Sequence, residues 1–106
     1  MLVQRIANLN DCEGGNCPNT YATDRGTVVV QGDLVKDNSH AVVVPSELLR
    51  RHAVAIGRER WSGPVEQLAG DRVLVRGRQV TDSDVLRAIG APGHENLVEI
   101  DEVVAA

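Results

Sequence analysis

The sequence predicts an α+β, β-rich fold: two degenerate hairpin repeats forming a small barrel or curved antiparallel sheet, with two short helices. Three observations carry this reading. The first is an internal repeat. Val28-Val-Val-Gln-Gly-Asp-Leu-Val-Lys-Asp37 lies over Val73-Leu-Val-Arg-Gly-Arg-Gln-Val-Thr-Asp82 at a constant offset of 45, matching Gly32 with Gly77 and Asp37 with Asp82. The second is composition: valine dominates the apolar residues, phenylalanine is absent, and Tyr21 and Trp61 are the only aromatics. Valine is stiff at its branched carbon and suits a pleated surface. The third is a pair of short, fully apolar runs, Thr27–Gln31 and Ala41–Val44. Such runs fit strands covered on both faces.

Along the chain, residues 2–9 read as an opening strand, and the turn formers from Asn10 to Thr20 read as a loop. Thr23–Gly26 is a tight turn feeding the strand Thr27–Gln31. Gly32-Asp33 reads as a two-residue hairpin connection into Leu34–Lys36, and Gly77 as the corresponding turn of the second copy. Asp37–Ser39 is a further turn before Ala41–Val44. Pro45 to His52 has proline at its entrance and Leu48, Leu49 and His52 at helical spacing, which predicts a short helix. Residues 65–68 form a brief strand, Gly70-Asp71 a turn and Arg72–Arg76 a strand. Thr81–Asp84 opens a second helix capped by Asp or Ser, with Val85, Leu86 and Ile89 on one face and Gly90 as its stop. Leu97–Ile100 closes the fold. The expected core is Val28, Val30, Val42, Val44, Leu48, Val73, Val75, Leu86 and Ile100.

A chain of 106 residues supports one domain, 1–106, with repeat units at approximately 27–52 and 72–104. No apolar run approaches the ~20 residues of a membrane span, and the first residues lack the pattern of a signal peptide, so a soluble cytoplasmic protein is expected. The net charge of −4 argues against general binding to phosphate backbones, and the scarcity of aromatics argues against stacking on bases. Charge is unevenly placed, however. Residues 50–78 carry seven arginines against three acids, while Glu95, Glu99, Asp101 and Glu102 make the last stretch acidic. A solvated face and a partner-binding patch both fit that excess.

Few residues suggest chemistry. Cys12 and Cys17 flank a four-residue spacer, and only the isolated His40, His52 and His94 are available to complete a zinc site. Free thiols, a local disulfide and a metal site completed by a second subunit stay open. The expectation is no bound zinc, and a fold that survives changing both cysteines to serine. Nothing sets Cys17 beside a base, and Pro18 leaves no helix N-terminus to activate it, so neither a catalytic residue nor a cofactor is expected. His52 reads as a packed or capping residue. The glycines form no nucleotide-binding pattern.

Two stretches carry resemblances. Cys17-Pro-Asn-Thr-Tyr-Ala-Thr-Asp-Arg-Gly-Thr-Val-Val-Val-Gln-Gly32 resembles small uncharacterised actinobacterial proteins with the pattern C-P-x-x-Y-x-T-D-R-G-T-x-V-V-Q-G. These are similar in setting to accessory partners of Xre-type helix-turn-helix regulators, which implies regulation through another protein and brings no catalytic residues. Asn38-Ser-His-Ala-Val-Val-Val-Pro-Ser-Glu-Leu-Leu49 is similar to a stretch of AbrB- and MazE-type swapped-hairpin DNA-binding proteins. Here Asp37 and His40 stand where that resemblance wants basic residues.

The expected function is a non-enzymatic regulatory or accessory module that binds another protein, among them a helix-turn-helix regulator, with a homodimer also open. Its expected binding residues are Arg50, Arg51, Arg58, Arg60 and Trp61, because arginine and tryptophan combine large contact area with directed hydrogen bonding. A DNA-binding antitoxin-like regulator and a metal-binding protein using Cys12 and Cys17 are the alternatives.

Overall fold

A computed structural model describes residues 2–9, 18–91 and 93–101. Within them the chain forms eight antiparallel strands in one open sheet and two short helices. The strands are β1 (Val3–Asn8), β2 (Asn19–Thr23), β3 (Thr27–Val35), β4 (Asn38–Pro45), β5 (Val65–Gln67), β6 (Arg72–Arg76), β7 (Arg78–Gln79) and β8 (Glu95–Asp101). Helix α1 (Ser46–Ala55) follows β4 directly, and α2 (Ser83–Ile89) lies between β7 and β8. The ladder runs β1-β2-β3-β4-β6-β5, and β8 pairs with both β3 and β7. The described part of Cys12–Cys17 is nil: that loop lies outside the described residues, and so do the expectations resting on it. No described helix is long and apolar enough to cross a membrane.

β3 organises the sheet, and its sequence explains why. Val28, Val29 and Val30 are all buried, although successive residues of a strand face opposite sides. Both sides are therefore covered. On one side Val28 and Val30 join Val42, Val44, Val73, Val75, Val98 and Ile100 in a core closed by Leu48 and Leu49 of α1. On the other, Val29 packs with Tyr21, Val80, Leu97 and Val85 of α2. The continuous valine run is what a strand between two apolar layers requires.

The hairpins expected at Gly32 and Gly77 do not form. β3 runs unbroken through Gly32, and its true connection to β4 is the turn Lys36-Asp37, where Asp37 takes φ 62°. β6 and β7 flank Gly77, yet they pair with different strands instead of each other. The two glycines nevertheless share a role. A Cβ on Gly32 would lie 2.5 Å from Val44 Cγ1 and 2.7 Å from the Val43 carbonyl oxygen; one on Gly77 would lie 2.7 Å from the Glu99 carbonyl oxygen. Each is a point where another strand passes too close for a side chain. At these points the partners change. β3 pairs with β2 before Gly32 and with β4 after it, while β8 stays beside it from Thr27 to Asp33. Likewise β6 pairs with β4 before Gly77, and β7 pairs with β8 after it.

Both helices arise where local signals placed them. Pro45 ends β4 and caps α1 with φ −64°, a value its ring imposes. In α1, Leu48, Leu49, His52 and Ala53 are buried, an i, i+1, i+4, i+5 stripe against the sheet. Asp82 caps α2, accepting hydrogen bonds from the amides of Asp84 (2.9 Å) and Val85 (3.2 Å), which hold its carboxyl below the usual range. Gly90 ends the helix at φ 64°. Of the expected core residues, eight are buried, and Leu86 is the exception at 44% exposed. α2 has only seven residues and turns Val85 alone fully inward, so its neighbour Leu86 is rotated toward solvent.

Candidate functional site

After α1 the chain folds back over the helix end before entering β5. The amides of Ile56, Gly57 and Arg58 donate to the carbonyls of His52, Val54 and Ala53, and Gly57 takes φ 78°. This wrap delivers Arg58, Arg60 and Trp61 to one place, at the open end of the main core. Trp61 packs against that core as its one partly buried large side chain among the described residues.

The indole has two close neighbours, His52 and Gly63. His52 meets it edge-to-face, with ring centroids 5.3 Å apart and planes at 76°. The His52 ring is buried, and its Nδ1 lies 2.7 Å from Thr20 Oγ1, so it is the packed residue its helical position predicted. Gly63 lies flat against the indole: a Cβ there would sit 2.8 Å from Cε2, Cζ2 and Nε1. The indole Nε1 itself is buried and meets no hydrogen-bond acceptor among the described residues.

Trp61 and Arg60 form a ridge between two clefts. One cleft has a floor of Val28, Ala53 and Ile100 and a rim that includes Ile56, Arg58 and Asp101. The other runs over Leu49 and Ser46 toward Arg50, Glu59 and Val65. Ile56 and Val65 stand exposed at 41% and 46%, one on each side of the ridge. Nothing in the local sequence marks these two as surface residues; their exposure follows from the wrap and from the position of β5.

The five expected binding residues separate into two groups. Arg50 and Arg51 both hold Glu47. Arg50 Nε donates to Glu47 Oε2 at 2.7 Å, Arg51 Nε donates to Oε1 at 3.1 Å, and Arg51 Nη1 reaches the Asn8 carbonyl at 3.1 Å, tying α1 to β1. Arg50 and then Arg51 pull the Glu47 carboxyl down to about 2. Arg58 and Arg60, in contrast, form no ion pair with another described residue. Of the five, the charge open to a partner is therefore that of Arg58 and Arg60, which stand beside Trp61. A carbon-13 titration of Glu47 should find its carboxyl protonating near pH 2, and Arg50→Ala should move it toward the ordinary glutamate value. Because the folded pKa is lowered, whatever this clamp contributes is complete above the ordinary value and is lost as pH falls through about 2.

Sequence reading also missed a buried polar layer on the α2 side of the sheet. Gln31 Oε1 accepts from Asn19 Nδ2 (3.1 Å) and from the Tyr21 hydroxyl (3.0 Å), while its Nε2 donates to Glu95 Oε1 (2.8 Å). Burial pushes the Tyr21 hydroxyl up. Thr27 Oγ1 donates to Glu99 Oε2 at 2.5 Å. The period-two alternation of β2, β3 and β8 places these groups on one face. The hydrogen bonds of Gln31 link the polar groups of Asn19, Tyr21 and Glu95 on this face into one network. Among the described residues no group of three or more histidine, cysteine, aspartate or glutamate side chains gathers in metal-binding geometry. Comparison of the chain with protein-family models, with curated proteins and with solved structures gives no significant match.

Proposed function

We propose that this chain is a non-enzymatic, cytoplasmic regulatory or accessory module that binds another protein through the Trp61 ridge. The carrying observation is the ridge itself: the indole of Trp61 and the guanidinium of Arg60 between two clefts, with Arg58 on the rim of one and exposed Ile56 and Val65 at their margins. These groups supply contact area and directed positive charge, the chemistry of an interface anchor. The charges favour a partner surface that is apolar with acidic positions. The resemblance of Cys17–Gly32 to proteins found beside helix-turn-helix regulators supports a regulator as that partner.

The two-unit organisation belongs to the same proposal. We infer that units 27–52 and 72–104 are degenerate halves of one small barrel-like frame. Its support is the exchange of strand partners at both Gly32 and Gly77, and the circuit of pairings β3-β4-β6, then β7-β8-β3. The ridge rises where the connection between the halves leaves α1.

The test is capture of partners from the native host with wild-type, Trp61→Ala and Arg58→Ala/Arg60→Ala baits, followed by titration of the captured partner. Trp61→Ala should weaken binding by about 2 kcal/mol or more, roughly 30-fold, and leave the circular dichroism spectrum intact. Binding should depend only weakly on salt. Equal capture by all three baits would refute the proposal. Steep, salt-sensitive binding to promoter DNA would establish a nucleic-acid function in its place.

A further inference from the structure

We propose that the partner docks as an added β-strand on the free edge of β5, with alternate side chains, apolar and acidic, directed at the Trp61 ridge. This inference rests on the reading of that ridge as a protein-docking surface and specifies how the partner is held.

β5 is the last strand of the ladder and pairs only with β6 among the described residues. Hydrogen-bonded and non-hydrogen-bonded pairs alternate along an antiparallel ladder. Leu68 N donates to the Arg72 carbonyl at 2.9 Å, which marks that pair as hydrogen-bonded. Two residues earlier, Glu66 opposite Leu74 is bonded for the same reason. Val65 and Gln67 therefore turn their amides and carbonyls away from β6, toward the open edge. All three β5 residues are exposed, so these main-chain groups are available to another strand.

The side chains specify the occupant. Val65 and Gln67 lie opposite Val75 and Val73, two members of the main core, and so share that face of the sheet. A residue added opposite Val65 would place its side chain beside the cleft formed by Leu49, Arg60 and Trp61. An apolar residue there extends the core outward, and an acidic residue two positions away remains on the same face and reaches toward Arg60. Glu66 faces the other side and is already joined to Arg76 at 3.6 Å. A second copy of this chain fits the edge poorly. Symmetric pairing of β5 with itself about Glu66 would set Glu66 directly against Glu66, and like charges in that position destabilise a ladder. The occupant is thus an extended, acidic-apolar segment of a different protein, bound by strand addition.

The probe is a capped peptide, Thr-Val-Thr-Val-Thr-Glu-Thr, compared with a twin carrying N-methyl groups on both valines. Cleft-facing residues are those that bond to Val65 and Gln67, so the twin keeps every side chain and loses the main-chain donors. Emission of Trp61, the sole tryptophan, and amide hydrogen exchange are read on the full chain. The parent peptide should shift the emission saturably and slow exchange at Val65 and Gln67 by about tenfold or more at saturation. The twin should bind at least about tenfold more weakly. Equal binding of the two peptides, or a Trp61 response without protection at Val65 and Gln67, would overturn strand addition while leaving the ridge as a docking surface. No response to either peptide would also overturn it, and the Trp61→Ala capture result then decides separately whether the docking surface stands. Protection of Val65 and Gln67 without peptide, appearing with concentration-dependent dimerisation, would show that a second copy occupies the edge and would overturn it too.

Discussion

Replacing Leu48 by alanine should lower the unfolding free energy by about 2–5 kcal/mol, the range of buried leucine truncations. Leu48 is fully buried, and with Leu49 it is what α1 contributes to the main core. Removing its isobutyl group loses transfer free energy and leaves a cavity against Val44 and its neighbours, which the paired strands β3, β4 and β6 hold open. Leu48→Met conserves volume and should cost less than about 1.5 kcal/mol. Urea denaturation checks both variants, with an unchanged dependence on denaturant showing that the loss is in the native core. A loss below about 1 kcal/mol for Leu48→Ala would mean that α1 does not anchor the sheet.

Gly32→Ala and Gly77→Ala should each destabilise by about 1–3 kcal/mol, the cost of forcing an extra carbon into a packed site. Neither glycine has a positive φ, so backbone conformation alone would accept alanine. On that ground alone the substitution would stabilise, because alanine reduces the entropy of the unfolded chain by about 0.4–1 kcal/mol. Space reverses the sign. The new Cβ meets a backbone carbonyl at 2.7 Å in each case, and a carbonyl within a ladder cannot swing aside as a flexible side chain would. Gly93→Ala is the control: that glycine has no positive φ and no atom within 4 Å of a built Cβ, so its change should be neutral or slightly stabilising. Thermal or chemical melts of the three variants separate these outcomes. Equal stability for Gly32→Ala and Gly93→Ala would refute the close crossing.

These two predictions also show how far the sequence could be read. Most strands were legible because their signals are local: a valine run such as Val28–Val30 is stiff and flat, and turn formers bound it. β2 was not, because its first residues, Asn19 and Thr20, end the run of turn formers that reads as a loop. The first turn of α1 was legible from Pro45, and both ends of α2 from Asp82 and Gly90, because caps act within a few residues. The candidate binding residues were legible only as a composition. Seven arginines between residues 50 and 78 looked like one patch, yet Glu47 holds two of them, and the fold gathers Arg58 and Arg60 with Trp61. An i, i+3 and i, i+4 relation made the Glu47 pairing discoverable from spacing. The chain of contacts from Trp61 to His52 and from His52 to Thr20 was not discoverable in that way, since Thr20 lies on a strand far away in the chain.

By itself the sequence determined a β-rich chain with two short helices, the start of the first and both ends of the second, and a matched pair of glycines at one offset. Backbone stereochemistry and side-chain periodicity act over a few residues, so they are written in order along the chain. What those glycines do was decided only in three dimensions. Gly32 and Gly77 looked like turns, because glycine is the ordinary residue of a tight hairpin. Each instead lies where another strand passes close by, β4 beside Gly32 and β8 beside Gly77, and its missing side chain is the space that strand occupies. The same holds for Leu86, turned outward by a seven-residue helix that buries Val85, and for Gly63, kept bare by the indole of Trp61. A steric requirement imposed by a distant segment leaves the same glycine in the sequence as a local turn does, and only packing distinguishes them.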